Sequence, residues 1–481
     1  MNSLLFSIHY TRYLPILVIF LCTACVTSAT EEKPLVLSGA TLIDGTGNKT
    51  IENSLIVIKG DRIECAGTAT ECSVPADAEV INVSGKYITP GMIDAHMHFA
   101  QTGFFDGRPD AMDITEAYPL PEIAAYQKMH PERYYQTYLC SGVTGIYDVG
   151  GFTWSVDQQF TAEDEPMAPH VAAAGPLLTP AQGAPFDLPS DKVLVPLNSV
   201  EDGITTVKFL SELGSTGIKF WQLRAGDEAY MERVEAAAEE IRKQGNQMIA
   251  HATTLEQAKA ALRNGTKLLV HSVGDREVDD EFIQLAKENG TYYNPTLIVS
   301  AGYTLAFRAA AGIEALPFDD PNGCVDQRTL DLVSNASQFK DHPRFSNSFL
   351  DRLNQFDPAT DMVSSTDLLN LKKVYDAGIP VVVGTDAGNP GTLHGVSIFD
   401  EMEAMQGAGI DPSDLIVMAT KNGAESMRRG NDFGTIEKGK IGNLIIMTED
   451  PTEDIAHMRT LTHVMVKGIL HDIKDLSANV E

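Results

Sequence analysis

The sequence predicts an α/β protein built on a (β/α)8 TIM barrel, accompanied by a small β element drawn from both ends of the chain. Three observations carry this. At 481 residues the chain has room for a barrel, which takes about 250 residues or more, and for a smaller satellite. Between residues 88 and 427, eight short apolar runs alternate with helical segments, the pattern of βαβ units on a parallel sheet. Alternating β-branched residues punctuated by Gly, Asn and Asp occupy Leu35 to Ile88 and return only in NLIIMTED and THVMVKGIL. The satellite is therefore expected as a composite β-sandwich over residues 30–88 and 432–481, with the barrel over 89–431.

In chain order, residues 1–29 have the grammar of a signal peptide. Basic Arg12 precedes the apolar run Tyr13 to Cys22, and the small residues Thr23, Ala24, Thr27, Ser28 and Ala29 follow. The apolar run is short for a membrane span. Cleavage after Ala29 is favoured over lipoprotein processing at Cys25, because Cys22 sits where a lipoprotein signal usually has Leu or another aliphatic residue. A periplasmic or secreted protein is expected, with no transmembrane span in the mature chain and a lipid anchor at Cys25 as the alternative. Cys65, Cys72, Cys140 and Cys324 then remain. Cys65 and Cys72 flank a turn-like Gly-Thr-Ala-Thr and can form a hairpin bridge in an oxidising compartment; the alternative is four free thiols.

The eight runs are ITPGMIDAHMHF, GVTGIYDVGG, HVAAAGPLLT, GIKFWQL, QMIAHAT, KLLVHSV, YYNPTLIV and IPVVVGTDAG. Between the fourth and fifth, Met231, Val234, Ala238 and Ile241 share one helical face that stops at Gly245. Between the fifth and sixth, Thr254 can cap a helix ending at Gly265. Tyr303 to Asp367 is read as a long loop on the C-terminal face, a lid or substrate wall, and Ala181 to Asn198 as a second stretch at the rim. No GxGxxG or GxxxxGK[ST] loop follows a strand, which lowers the case for nucleotides. Lys and Arg number 36 against 66 Asp and Glu, a formal net charge of -30 that repels nucleic acid and anionic membranes.

The chemistry lies at strand ends. His96 and His98 are one residue apart at the end of the first run, so both rings face one side. Lys219, His251, His271 and Asp386 end the fourth, fifth, sixth and eighth runs. Any one of them alone would pass as packing or as a solvated side chain. Six at the ends of five strands should converge, because catalytic residues of this fold gather at the C-terminal face. An N/O ligand set without cysteine suits Zn, Mn, Fe or Co with an open position. Such an ion brings the pKa of water from about 15.7 toward about 7 and polarises a carbonyl, and Asp386 can take the proton and return it to the leaving amine.

These motifs, together with GATLIDGTG, SGVTGIYDVGG, the stretch from HATTLEQAKAALRNG through YYNPTL, and the tail ATKNGAESM to DPTEDI, resemble the amidohydrolase superfamily, in particular its imidazolonepropionase-like and prolidase-like branch. The resemblance spans almost the whole mature chain. It implies a β-sandwich beside the barrel and two zinc ions. One would be held by His96, His98 and Asp386 and the other by His251 and His271, bridged by Lys219 as a carbamate. Two departures stand out. Thr179-Pro180-Ala181-Gln182-Gly183 replaces a Gly-Gly-His turn common in relatives, and Asn443 stands where they usually have Asp.

Tyr293, His394 and Arg224 are softer candidates for contacts to substrate. Together these features predict a hydrolase of an amide C–N bond in a small molecule, a dipeptide or N-acyl amino acid, assembled as a homo-oligomer. A lactone, cyclic amide or carbamate hydrolase on the same centre is the alternative. A barrel that binds a ligand without turning it over is the reading from another class.

Overall fold

The computed structural model describes residues 33–180 and 187–478. The proposed leader, Cys25 and residues 181–183 of the altered turn lie outside them. Leu35–Ser38 pairs antiparallel with Leu55–Lys59 and parallel with Glu79–Asn82, and Leu55–Lys59 pairs onward with Arg62–Gly67. A second sheet takes Thr41–Leu42 and Tyr87–Pro90 from the first part of the chain and Leu444–Met447, Leu461–Val466 and Ile469–Asp472 from the last. Leu37, Ile56 and Ile58 of the first sheet and Ile88, Leu444 and Ile446 of the second share one apolar cluster. Fully burying such a side chain contributes roughly 1.5–3 kcal/mol, so this layer ties the two ends of the chain together.

Within the barrel region, Met92–Met97, Val143–Asp148 and His170–Ala173 form one parallel ladder. Leu177–Thr179, Ile218–Phe220, Met248–His251, Leu268–Val270 and Tyr292–Asn294 form another, with Leu194–Pro196 added outside Leu177–Thr179. The third run is thus two strands, broken at Gly175 (φ +72°), one half facing the second run and the other the fourth. The eighth run makes only single bridges, Val381 with Tyr293 and Ala387 with Met97. It is also held by hydrogen bonds from Ala95 N to Val383 O (2.9 Å) and from Asp386 N to His96 O (2.7 Å). The ladders among the described residues therefore do not run as one closed sheet. At the end of the eighth run Asp386 sits at φ +60°, outside the extended region.

Helices follow the strands as their caps dictate. Glu228–Lys243 starts where Asp227 accepts from Tyr230 N and buries Val234, Ala238 and Ile241. Leu255–Arg263 starts where Thr254 accepts from Gln257 N (3.3 Å). The stretch Tyr303 to Asp367 is not one long loop as expected; about half of it is helical. Val299–Ala310 begins soon after Pro295 has ended the seventh ladder, and Gln327–Ser334 and Asn347–Gln355 follow behind the N-caps Asp326 and Ser346. The buried carboxylate of Glu401 accepts from Leu297 N (2.9 Å) and Ile298 N (3.1 Å), an acceptor for orphan donors at the start of Val299–Ala310.

Two disulfides exclude the free-thiol alternative. Cys65–Cys72 forms the expected bridge, but it ties the strand Arg62–Gly67 to the turn that follows it and not to a second hairpin strand, and Cys140–Cys324 ties the helix Glu132–Cys140 to the segment between Val299–Ala310 and Gln327–Ser334. Among the described residues no helix is long and apolar enough to cross a membrane.

Candidate metal centre

The first and eighth runs are locked together before any ligand is considered. Asp94, fully buried, accepts from His96 N (3.1 Å) and Thr385 N (3.0 Å) through Oδ1 and from the Thr385 hydroxyl (2.7 Å) through Oδ2. Gly384 completes the lock, because a Cβ there would lie 2.8 Å from both the Cβ and the backbone N of His96. Only a residue without a side chain lets the two backbones approach this closely.

This places Asp386 against the histidine pair. Its Oδ1 lies 3.2 Å from His96 Nε2 and 2.9 Å from His98 Nε2, and its Oδ2 lies 3.9 Å from His271 Nδ1. The rings of His96 and His271 are 5.2 Å apart and those of His251 and His271 4.4 Å. His271 and Asp386 both have positive φ, at 74° and 60°. Strained backbone of this kind persists where the surroundings impose it, and it clusters at functional sites. Lys219 completes the group on the same cavity wall and is 2% exposed.

The donor set fits a cation. Both ring nitrogens of His96 and Oδ1 of Asp386 are buried with no hydrogen-bond partner, although they lie close to one another. Buried polar atoms left this way cost free energy unless something binds them. Ligand atoms of His96, His271 and Asp386 all fall within 4.8 Å of one another. His98 Nδ1 donates to the carbonyl of Gly150 (2.6 Å), which turns Nε2 toward Asp386. The hydroxyl of Thr296 orients His271 through Nδ1 (2.7 Å).

Charge agrees with geometry. Burial, reinforced by the positive charge of nearby Lys219, pushes His251 down to about 3; burial also pushes His96 down to about 3, against the pull of Asp386. Both are neutral imidazoles ready to coordinate. Burial likewise brings Lys219 down to about 7, which makes its amine a nucleophile near neutral pH. His98 behaves differently. Burial works to lower it, but Asp148 and Asp386 lift it to about 9. Burial works to raise Asp386, yet the flanking His96 and His98 hold it well below the usual carboxylate range.

The six strand-end residues predicted from sequence, His96, His98, Lys219, His251, His271 and Asp386, all line one cavity of about 290 Å³. The softer candidates do not. Tyr293 is buried behind it, its hydroxyl accepting from Val273 N (3.3 Å), because its position in the strand turns it toward the helix layer and Phe282. His394 is packed on Tyr134 and bonded to Tyr138 and to the carbonyl of Gln101, so it supports the wall without reaching it. Arg224 is exposed and lines an adjoining polar depression with Gln222 and Gln257. Arg108, Tyr303 and Asn389, none of them singled out by the sequence, do line the cavity, as do the apolar Leu120, Phe152 and Trp221.

The chain matches the Amidohydrolase family over residues 87–470. It is 24% identical over 426 residues to an imidazolonepropionase of Geobacillus sp. (strain WCH70), covering 82% of this chain and 84% of that protein. It is 21% identical over 509 residues to an N-substituted formamide deformylase of Arthrobacter pascens, covering 83% and 90%. Among solved structures, a Xaa-Pro dipeptidase with bound methionine superposes with TM-score 0.68 at 22% identity, covering 92% of this chain and 100% of that one. A molinate hydrolase superposes with TM-score 0.69 at 21% identity, covering 94% and 97%. Likeness at this level of identity shows the fold, a (β/α)8-type barrel.

Proposed function

Because the chain belongs to the amidohydrolase family, a family of metal-dependent hydrolases, we propose that it is an exported enzyme that cleaves an amide C–N bond of a small molecule, a dipeptide or N-acyl amino acid. The observation that carries this reading is the set of orphaned, buried ligand atoms on His96 and Asp386 in a cavity shared with four further N/O side chains. Relatives named for C–N hydrolysis support the reaction class. Two disulfides support an oxidising compartment.

His96, His98 and Asp386 would hold one of two zinc ions, and His251 and His271 the other. Lys219 would add a further ligand as a carbamate, formed when its neutral Nζ adds to the carbon of carbon dioxide and releases a proton to solvent. When bound, such ions bring the pKa of water toward about 7 and polarise the scissile carbonyl. Asp386 does the proton work. Oδ1 faces the two histidines, so Oδ2 receives the proton of the attacking water and delivers it to the amide nitrogen as the C–N bond breaks. Gly150 and Thr296 keep the rings of His98 and His271 oriented throughout. The cavity, at about 290 Å³, suits a small molecule.

The test is a panel of dipeptides, N-acyl amino acids, lactones and carbamates with the wild type and Asp386→Asn. Amide cleavage that drops by a factor on the order of 10³ or more in a folded Asp386→Asn variant supports the reading. Cleavage of lactones or carbamates only, or activity that survives the substitution, refutes it.

A further inference from the structure

We propose that Arg108 and Tyr303 form an anion subsite in the cavity that takes the free carboxylate of the substrate, with the side-chain carbonyl of Asn389 holding that place in its absence. The proposal rests on the amide-hydrolase reading for its choice of substrate and adds the position and chemistry of substrate selection.

The geometry is a convergence of donors. Arg108 Nη1 and the Tyr303 hydroxyl (2.7 Å) both donate to one oxygen, Asn389 Oδ1. The orientation of that amide is unambiguous, because its Nδ2 donates to the carbonyl of Asp386 (3.0 Å) and a flipped group would set donor against donor at both ends. A neutral amide oxygen thus occupies a site framed by a cation and a hydroxyl. A carboxylate there offers two oxygens and about four lone pairs and converts both contacts into charge-assisted hydrogen bonds, roughly twice as strong as neutral ones.

The subsite is prearranged. Asp110 takes the opposite edge of the guanidinium through Nε (2.8 Å) and Nη2 (2.7 Å), and the guanidinium lies 5.6 Å from the centroid of the Tyr303 ring. The plane of Arg108 is therefore fixed with Nη1 toward Asn389. Since Asp110 balances the charge of Arg108, selection comes from the aimed hydrogen bonds more than from a long-range field. Arg108 and Lys219 are the lysine and arginine side chains on the described cavity wall, and Lys219 belongs to the metal centre. Asn389 is three residues from Asp386 and bonded to its carbonyl, which puts the subsite beside Asp386. Leu120, Phe152, Leu177, Val193 and Leu194 supply an apolar wall in the same cavity. The ligand class that fits is an amide carrying an apolar group and a carboxylate.

The experiment is calorimetric titration of the metal-loaded enzyme with 2-benzyl-4-oxopentanoic acid, the ketone isostere of N-acetylphenylalanine that has no C–N bond to cleave, and with its carboxamide, which differ only in the charge at the subsite. The wild type is expected to bind the acid at least about 10-fold more tightly than the amide. Arg108→Gln should reduce that preference to within about 3-fold, and Tyr303→Phe should reduce it in part. Arg108→Lys, which keeps the charge but loses the fixed fork, should fall between. Metal content and melting temperature of each variant separate loss of the subsite from loss of the fold. A wild type that binds neither compound or shows no preference for the acid overturns the proposal. So does an acid preference that persists in Arg108→Gln, since the carboxylate would then be binding the metal. Preference for the acid without hydrolysis of any amide leaves the subsite standing and removes the amide-hydrolase reading instead.

Discussion

Replacing Gly384 with alanine is expected to loosen the metal centre without unfolding the chain. An added Cβ would sit 2.8 Å from the Cβ and the backbone N of His96 and 2.2 Å from Asn294 Nδ2. Comfortable contacts between such atoms lie near 3.5–4.0 Å, so the first and eighth runs must separate by roughly 0.7–1 Å. The Asn294 amide cannot absorb this by swinging into solvent, because it is fully buried. Overpacking of this kind costs about 1–3 kcal/mol, a fraction of the stability of a large domain. The functional cost is larger in proportion. Active-site constellations tolerate displacements of about 0.5 Å, and a misplacement of about 1 Å can cost on the order of 10²-fold in rate. The assay pairs metal retention during dialysis against graded chelator with turnover and a thermal melt. A loss of about 10-fold or more in metal affinity, with a melt only a few degrees lower, is the expected result. A Gly384→Ala protein that keeps wild-type metal and turnover would refute the argument that the approach of the two runs sets the site.

Other perturbations follow from the same structure. Burial opposes the charge of Glu163, but the hydrogen bond from His170 and the guanidinium of Arg429 hold its carboxyl at about 2. Its contribution is thus fully present above about pH 4.5 and lost as pH falls toward about 2; because a third of the side chain is exposed, about 1–2 kcal/mol is expected. In chelated protein, the difference in stability between wild type and Glu163→Gln should close across that window, and a constant gap would contradict the assignment. Replacing Cys140 and Cys324 together with serine should cost about 2–5 kcal/mol by thermal melt, with metal content retained. Thr296→Val removes the hydroxyl that orients His271 and should weaken metal binding by about 10–100-fold, read by competition with chelator.

Residues that line the cavity differ in how visible they were. His96, His98, Lys219, His251, His271 and Asp386 each close an apolar run, and the barrel geometry turns that shared position into convergence, so linear order sufficed to group them. Arg108 had no such mark. It lies in the loop after the first run and is aimed into the cavity by partners that include Asp110 and Asn389. Tyr303 was hidden by a misjudged element: its segment looked like loop because the Asn, Asp and Ser residues that start the helices at Gln327 and Asn347 also signal turns. The acceptor that anchors the start of Val299–Ala310, Glu401, is about a hundred residues away in sequence. Cys140 and Cys324 illustrate the same limit, with a separation of 184 residues that no local pattern bridges. Tyr293 and His394 failed in the opposite direction. Proximity in sequence to a strand end or to Asp386 did not decide which way the side chain pointed.

The central claim is that six strand-end side chains hold metal and that hydrolysis depends on it. The most direct measurement is elemental analysis of the purified protein before and after chelation, with amide hydrolysis followed on the same samples. About two equivalents of metal, lost together with activity and restored together on adding zinc and bicarbonate, are what the account predicts. Protein that binds no metal after reconstitution, or hydrolysis that continues unchanged once the metal is gone, would contradict it.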